Sequence, residues 1–262
     1  MNRIDKLFQE KEGKVLSVFI TAGYPNLEDL PMILESLANS GADMVEIGIP
    51  YSDPLADGGT IQESNQQALA NGMTLSLLFE QLEKIRDKVQ IPLLLMGYLN
   101  PVLQYGVEKF CQQAETVGVD GVILPDLPMI EFKRKYREIF EKHGLANVCL
   151  ITPRTPDERI RLLDEMSSGF LYAVSTDSTT GKAGAFGDRQ TDYFQRIEAM
   201  KLQNPVLVGF GIHDAQTFQL ASQYQQGAII GSAFIRALKD SNDVSVDTAA
   251  FVHSIIGTKQ PV

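Results

Sequence analysis

The sequence predicts a (β/α)8 TIM barrel that forms a single domain over residues 1–262 and starts with a short N-terminal helix around Arg3 to Glu10. Eight short runs of aliphatic and β-branched residues recur along the chain, and amphipathic segments separate them. No Pro/Ser-rich or low-complexity linker divides the chain, and 262 residues suit one barrel, which typically needs about 250. An open doubly wound sheet stays as the alternative, because periodicity alone does not exclude it.

The order of the predicted elements follows from the eight apolar runs. They begin near Val15, Asp43, Ile91, Asp120, Asn147, Gly169, Pro205 and Gly227. Five of the seven intervals between successive starts are 22 to 29 residues long, a length that accommodates one strand, one helix and two loops. Asn26 is the predicted N-cap of the helix after the first strand, and Gly41 and Gly118 are the predicted C-caps of two helices.

Two intervals are longer and are expected to carry function. The interval of 48 residues after strand 2 adds the loop PYSDPLADGGT and a helical segment, IQESNQQALANG. The interval of 36 residues after strand 6 adds the polar, glycine-rich stretch STDSTTGKAGAFGDRQ. Loops longer than a compact fold needs are usually lids or binding segments, or are disordered.

Charge and composition exclude several classes of partner. The net charge is −10 and the pI is near 4.8, so the surface repels nucleic acid and anionic membranes. The two cysteines, Cys111 and Cys149, offer neither metal-ligand spacing nor a disulfide framework. The N-terminus lacks the apolar region of a secretion signal, and no apolar run is long enough to span a bilayer. We therefore expect a cytoplasmic protein.

The predicted carboxyl ends of strands 7 and 8 have the chemistry of a phosphate site. Strand 7 runs into Gly209 and Gly211, and strand 8 runs into Gly231 and Ser232, which begin the last barrel helix. Glycines let backbone N–H groups approach an anion, and barrel enzymes commonly bind phosphate at this place. Gly181 of loop 6 is a third contributor. The alternative is that these glycines only form tight turns and helix caps.

Glu46 is the first candidate acid or base, because it lies in an otherwise apolar strand and faces the same side as Met44. Apolar surroundings raise the pKa of a carboxyl toward the range of a general acid or base. A structural ion pair is the alternative. The following loop presents Asp53 and Asp57, of which one could simply bond its own turn. The strand cores contain no lysine for a Schiff base, and the three histidines are scattered. The chemistry should therefore use carboxylates and hydrogen bonds.

Several segments resemble the alpha chain family of tryptophan synthase over essentially the whole chain. They are FITAGYP (19–25), VEIGIPYSDPLADG (45–58), LLMGYLNPVLQYG (94–106), GVDGVILPDLP (118–128), VGFGI in strand 7 and GSAF after strand 8. The resemblance implies the barrel fold and the retro-aldol cleavage of indole-3-glycerol phosphate to indole and glyceraldehyde 3-phosphate, with no metal and no cofactor in this chain. It also implies a beta chain partner that carries pyridoxal phosphate, in an α2β2 complex docked beside the barrel mouth.

The resemblance also assigns residue roles. Glu46 matches the acid/base, Asp57 the loop carboxylate that holds the indole N–H, and Tyr172 the tyrosine near the substrate. The remaining matches are substrate-binding: Phe19 and Ile61 beside the indole, and Thr180, Gly181, Gly211, Gly231 and Ser232 around the phosphate. Gly59 stands where the family commonly has proline, and Ser178 and Thr179 replace a Gly-Val pair. Three other functions stay open: a free-standing indole producer, a non-catalytic phosphate-binding regulator, and another phosphosugar isomerase or lyase.

Overall fold

The computed structural model describes residues 2–175 and 188–257, without the side chain of Asp188. Its strands are β1 (Val15–Thr21), β2 (Met44–Gly48), β3 (Leu93–Met96), β4 (Gly121–Ile123), β5 (Ala146–Asn147), β6 (Cys149–Ile151), β7 (Leu171–Val174), β8 (Val206–Gly209) and β9 (Gly227–Ile230). All the strand pairs are parallel, in the order β5-β4-β3-β2-β1-β9-β8-β7-β6.

The two end strands of that order, β5 and β6, are consecutive in the chain and flank Val148 alone. The first half of this interrupted strand pairs with β4 and the second half with β7, and the Val148 N–H donates to the Val122 carbonyl at 3.1 Å. The sheet therefore closes on itself with eight strand positions. The predicted barrel is confirmed, and the doubly wound alternative is wrong because such a sheet would leave open edges.

Helices surround the barrel and connect its strands. They are α1 (Arg3–Glu10), α2 (Leu30–Ser40), α3 (Gly59–Ala70), α4 (Leu75–Ile85), α5 (Leu99–Tyr105), α6 (Val107–Thr116), α7 (Met129–Glu131), α8 (Arg137–Lys142), α9 (Asp157–Met166), α10 (Asp188–Met200), α11 (Ala215–Tyr224), α12 (Ser232–Leu238) and α13 (Val244–Ile256), with a π-helical segment, Phe132–Tyr136, between α7 and α8. The additional helix predicted after strand 2 is α3, which starts at Gly59.

One of the three predicted helix caps differs from the structure. Asp29, not Asn26, is the residue before α2, and its carboxylate accepts from the Asn26 N–H at 3.1 Å. Asn26 was a chemically competent cap, but Pro31 in the first turn sets the start of the helix three residues later. Gly41 and Gly118 both take positive φ at the ends of α2 and α6, as predicted, and beyond α6 the N–H groups of Gly118 and Val119 donate to the carbonyls of Glu115 at 3.0 Å and Ala114 at 2.8 Å.

The apolar side chains form two clusters. The larger one lies between the outer faces of the strands and the helices. The smaller one fills the barrel interior, because alternate strand residues point inward. Its buried members are Ile4, Val15, Met44, Leu94, Ile123, Ala146, Val148, Phe170, Tyr172, Leu207 and Ile229.

Helix α1 is the N-terminal helix predicted at Arg3–Glu10, and it closes the amino-terminal end of the barrel. Ile4 is fully buried in the interior cluster. The Asn2 amide donates to the carbonyl of Asp120 at 2.6 Å and to that of Gly144 at 3.0 Å, and Arg3 pairs with the Asp120 carboxylate at 3.0 Å. Asp120 precedes β4 and also pairs with buried Arg86 at 3.1 Å. With this end closed, access to the interior is from the carboxyl ends of the strands.

Candidate active site

A cavity of about 350 Å³ opens at the carboxyl ends of the strands, the end where barrel enzymes place their active sites. This volume lies within the usual range for a small-molecule site. The cavity is lined mainly by residues that end β1 to β3 and by the loops that follow the strands: Phe19, Gly48, Ile49, Ala56, Asp57, Ile61, Asn65, Met96, Gly97, Tyr98, Pro125, Leu150, Thr152, Arg154, Val174 and Phe210.

Glu46 lies on β2 directly below the cavity. Gly48, two residues further on the same face, lines the cavity, whereas the Glu46 side chain is fully buried beneath it. Its Oε1 accepts a hydrogen bond from the Ser17 hydroxyl at 2.9 Å. Burial raises the pKa of Glu46 from 4.5 to about 8, although the Ser17 hydrogen bond lowers it. Glu46 is therefore a protonated acid near neutral pH, and among the described residues no cation pairs with it.

Asp57 lies in the long loop between β2 and α3 and lines the cavity. The Tyr98 hydroxyl donates to its Oδ2 at 3.0 Å, and the same hydroxyl accepts from the Ala56 N–H at 3.0 Å. Gln62 of α3 donates to the Asp57 carbonyl at 2.8 Å. Burial raises the pKa of Asp57, and the Tyr98 hydrogen bond opposes this. The neighbouring candidate, Asp53, is exposed, and its Oδ2 accepts a hydrogen bond from the Ser52 hydroxyl at 2.5 Å.

Tyr172 lies on β7 and is buried in the barrel interior. Burial and the charges of Glu46 and Asp57 raise the pKa of its hydroxyl well above 10. The Tyr172 ring lies against Gly209 at the end of β8, where a Cβ would come within 2.2 Å of the hydroxyl oxygen. From the sequence, Gly209 was expected to let the backbone approach a phosphate. In the structure, a glycine is needed there to make room for the tyrosine.

Phe19 and Ile61, the residues expected beside the indole, both line the cavity. The Phe19 ring lies across β2 at Gly48, where a Cβ would come within 2.6 Å of its Cζ. On another side of the cavity, Phe210 packs against Tyr172 at 6.2 Å between ring centroids. The cavity is therefore bounded by aromatic rings above the buried carboxyl.

The predicted phosphate residues lie on adjacent loops. β8 and β9 pair directly, so the turn holding Gly211 and the segment Gly231–Ser232 follow neighbouring strands. Gly211 has φ of +77°, a conformation that favours glycine. Gly231 packs near the Phe19 side chain, and Ser232 begins α12. None of these three residues lines the 350 Å³ cavity itself. Thr180 and Gly181 lie outside the described residues.

Tyr98, Asn65, Thr152 and Arg154 were not identified from the sequence as cavity residues. Asn65 of α3 is buried, and its Oδ1 accepts from the Tyr51 N–H at 3.0 Å. Tyr51 in turn packs on Tyr98 with ring centroids 5.1 Å apart. Tyr98 directly follows the glycine after strand 3, a position at the functional end of a barrel, and this placement could have identified it.

The described residues contain no group of three or more His, Cys, Asp or Glu side chains placed to hold a metal ion. His213, one of the three scattered histidines, lies before α11, where its N–H donates to the Thr217 hydroxyl at 3.0 Å. None of the helices in residues 2–175 and 188–257 has the length and apolar character needed to cross a membrane.

Comparison with known proteins identifies the family to which the chain is similar. A family model described as the tryptophan synthase alpha chain matches residues 5–258. The tryptophan synthase alpha chain of Flavobacterium psychrophilum is 57% identical over 246 residues, which are 94% of this chain and 97% of that protein. That of Parabacteroides distasonis is 55% identical over 239 residues, or 91% and 93% of the two chains.

Solved structures extend the similarity to the fold. The crystal structure of tryptophan synthase subunit alpha from Legionella pneumophila has a TM-score of 0.88 at 34% identity and covers 97% of both chains. Tryptophan synthase from M. tuberculosis in its aminoacrylate-bound form has a TM-score of 0.85 at 29% identity, with 98% and 99% covered. The chain, with its barrel, its buried strand-2 glutamate and these relatives, belongs to the tryptophan synthase alpha chain family.

Proposed function

We propose that the cavity and the carboxyl beneath it form the site where this chain cleaves indole-3-glycerol phosphate to indole and glyceraldehyde 3-phosphate, the lyase reaction of its family. The observation that supports this most strongly is Glu46, a fully buried carboxyl with a pKa raised to about 8 and no cation beside it among the described residues. Few charged groups are buried without a function, and this pKa suits a group that both gives and takes a proton near neutral pH.

The reaction requires one proton to enter and one to leave. Glu46 donates its proton to C3 of the indole, which gives the indoleninium cation with its N–H retained. The carboxylate then removes the proton of the glycerol hydroxyl adjoining C3. The carbon–oxygen double bond of the aldehyde forms, the C3–C bond breaks, and its electron pair returns to the indole ring. Glu46 is protonated again at the end, so the cycle needs no other proton donor.

Asp57 is proposed to hold the indole N–H and to offset the positive charge that develops on nitrogen as C3 is protonated. Its position on the cavity wall supports this, as does the Tyr98 hydrogen bond that orients its carboxylate. Tyr172, neutral beside Glu46, is proposed to contact the reacting end of the substrate. Phe19 and Ile61 would flank the indole ring, as their place in the cavity suggests.

Gly211, Gly231 and Ser232 are proposed to bind the phosphate of the substrate, together with Thr180 and Gly181. The pairing of β8 with β9 supports a common anion site, since it brings the loops of Gly211 and Gly231 side by side. Inorganic phosphate or glycerol 3-phosphate should therefore protect the protein against heat, as any ligand of the native state does. Absence of protection at millimolar ligand would contradict the phosphate site.

The acid/base role is tested by Glu46→Gln, which keeps the size of the side chain and removes the transferable proton. We expect indole release to be abolished while protection by glycerol 3-phosphate persists. Glu35→Gln is the matched control, because Glu35 pairs with Lys88 on the outer surface at 3.6 Å and lies outside the cavity. Turnover within tenfold of wild type in Glu46→Gln would remove Glu46 from its role.

An alpha chain of this family implies a beta chain partner, which we propose carries pyridoxal phosphate and joins this chain in an α2β2 complex. Large apolar side chains are exposed beside the cavity mouth on three successive connections, and they support docking there. They are Leu55 after β2, Leu103 in α5 after β3, and Ile130 in α7 after β4. The Asp57 loop also belongs to this surface, so a partner that favours its ordered state would raise activity by population shift.

Indole release with and without the cognate beta chain tests this coupling. We expect at least about a tenfold acceleration, which corresponds to roughly 1.4 kcal/mol of barrier. An isolated chain that already works at full speed would instead support a free-standing indole producer. The two free thiols, Cys111 and Cys149, are compatible with the cytoplasm, which we propose as the location.

A further inference from the structure

Ser17 is a polar residue on the inner face of the apolar strand β1. Its side chain is fully buried, in register with Met44 of β2 and one inward position below Phe19. Its hydroxyl donates to Glu46 Oε1 at 2.9 Å. A buried hydroxyl without a partner costs about 1 to 3 kcal/mol, so this hydrogen bond is what makes a serine tolerable here.

The bond makes the two oxygens of Glu46 unequal. Oε1 accepts from Ser17, whereas Oε2 is buried and has no hydrogen-bond partner among the described residues. A protonated carboxyl has one carbonyl oxygen and one hydroxyl. Because the Ser17 hydroxyl donates to Oε1, it favours Oε1 as the carbonyl oxygen, and the proton then lies on Oε2.

The other groups around the Glu46 carboxyl do not distinguish between its two oxygens. The β1 and β3 residues paired with Glu46 in the sheet are Phe19 and Leu94, both apolar. Among the described residues, Tyr172 is the titratable group that responds to the charge of Glu46, and burial keeps it neutral by raising its pKa well above 10.

We propose that Ser17 is a positioning residue for the lyase reaction, which holds Oε1 as the carbonyl oxygen and thereby keeps the transferable proton of Glu46 on Oε2. The inference rests on the acid/base role proposed for Glu46. The inference adds that Ser17, a residue of β1 that does not contact the substrate, determines from which oxygen of Glu46 the proton is transferred.

The experiment compares Ser17→Ala, Ser17→Thr and wild type for kcat, KM and the pH dependence of kcat. In Ser17→Ala we expect kcat to fall about tenfold, the scale of one lost hydrogen bond to a charged or reacting group, with KM within about twofold. The midpoint of the pH profile should move upward, since the Ser17 bond lowers the pKa of Glu46. Ser17→Thr, which keeps the hydroxyl, should recover most of the rate.

Infrared difference spectra report on the carboxyl itself. The carbonyl band that wild type shows and Glu46→Gln lacks should move to higher frequency in Ser17→Ala, because the carbonyl oxygen loses its hydrogen bond. Ser36→Ala is the matched control: it removes a buried serine hydrogen bond of 2.7 Å to the Ser245 carbonyl, between α2 and α13, and should leave kcat and the profile unchanged.

Each outcome has a distinct meaning. An unchanged pH profile and carbonyl band in Ser17→Ala would overturn the positioning role, as would a folded Ser17→Thr variant that is as slow as Ser17→Ala. If Glu46→Gln itself retained turnover, the proposed function of Glu46 would fail, whatever the Ser17 variants showed.

Discussion

Replacing Glu46 by glutamine should make the folded protein more stable at neutral pH while it removes activity. Burial raises the pKa of this carboxyl from 4.5 to about 8 in the folded chain. Between these two values the folded state holds a proton that the unfolded state has lost. Stability therefore falls as the pH rises through this window, at about 1.4 kcal/mol per pH unit.

The size of the effect follows from the width of the window. At pH 7 the free energy of unfolding of the wild-type chain is about 3 kcal/mol lower than at pH 4.5. Above pH 8 this decrease levels off at about 5 kcal/mol. Glutamine does not titrate, so the free energy of unfolding of Glu46→Gln minus that of wild type should grow across the window and then stay constant. Any fixed cost of burying the amide shifts this difference but not its slope.

Urea denaturation of both proteins at one-unit steps from pH 5 to pH 9, followed by circular dichroism, measures the difference. A difference that increases toward pH 8 and then levels off supports the raised pKa. If the two curves run parallel from pH 5 to pH 9, Glu46 does not hold its proton in this window, and the reasoning that makes it an acid at neutral pH is wrong.

Three further substitutions test the site. Gly209→Ala would place a Cβ 2.2 Å from the Tyr172 hydroxyl oxygen, so we expect a loss of about 1 to 3 kcal/mol of stability and a lower kcat, read from thermal melts and indole release. Gly59→Ala is its control: a Cβ there meets no atom within 4 Å, and the first turn of α3 should gain up to about 1 kcal/mol. Asp57→Asn should lower kcat severely through the lost charge, and an effect on KM alone would contradict that electrostatic role. Gly211→Leu should raise KM for the phosphorylated substrate in initial-rate assays, because φ of +77° and the anion both favour glycine.

The parts of the fold that follow from chain periodicity were predictable. The two-residue alternation of β2 placed Glu46 on the same inner face as Met44, and the structure has both in the barrel interior. The long interval after strand 2 located the Asp57 loop and α3, since extra chain at the functional end of a barrel has to form additional structure. The interruption of the fifth strand at Val148 has no comparable signal in its apolar sequence.

The contacts between distant segments were not predictable, because one sequence does not specify which side chains meet across loops. Tyr98 follows strand 3 and Asp57 follows strand 2, and their hydrogen bond depends on how both loops fold. Gly209 looked like a phosphate glycine, yet the close approach of Tyr172 from β7 accounts for it. The predicted N-cap of α2 was wrong because Asn26 and Asp29 are both residue types that can cap a helix, and Pro31 decides between them.

The way α1 is anchored has a consequence for the order of events on the ribosome. Its partners Asp120, Gly144 and Phe170 come much later in the chain than α1 itself, and Phe170 packs against Phe8 with ring centroids 6.2 Å apart. At about 5 to 20 residues per second, translation takes roughly 10 to 30 s to reach the last of them. During that time Ile4 has no binding site, so the nascent α1 segment is exposed to chaperones and proteases until Phe170 has emerged.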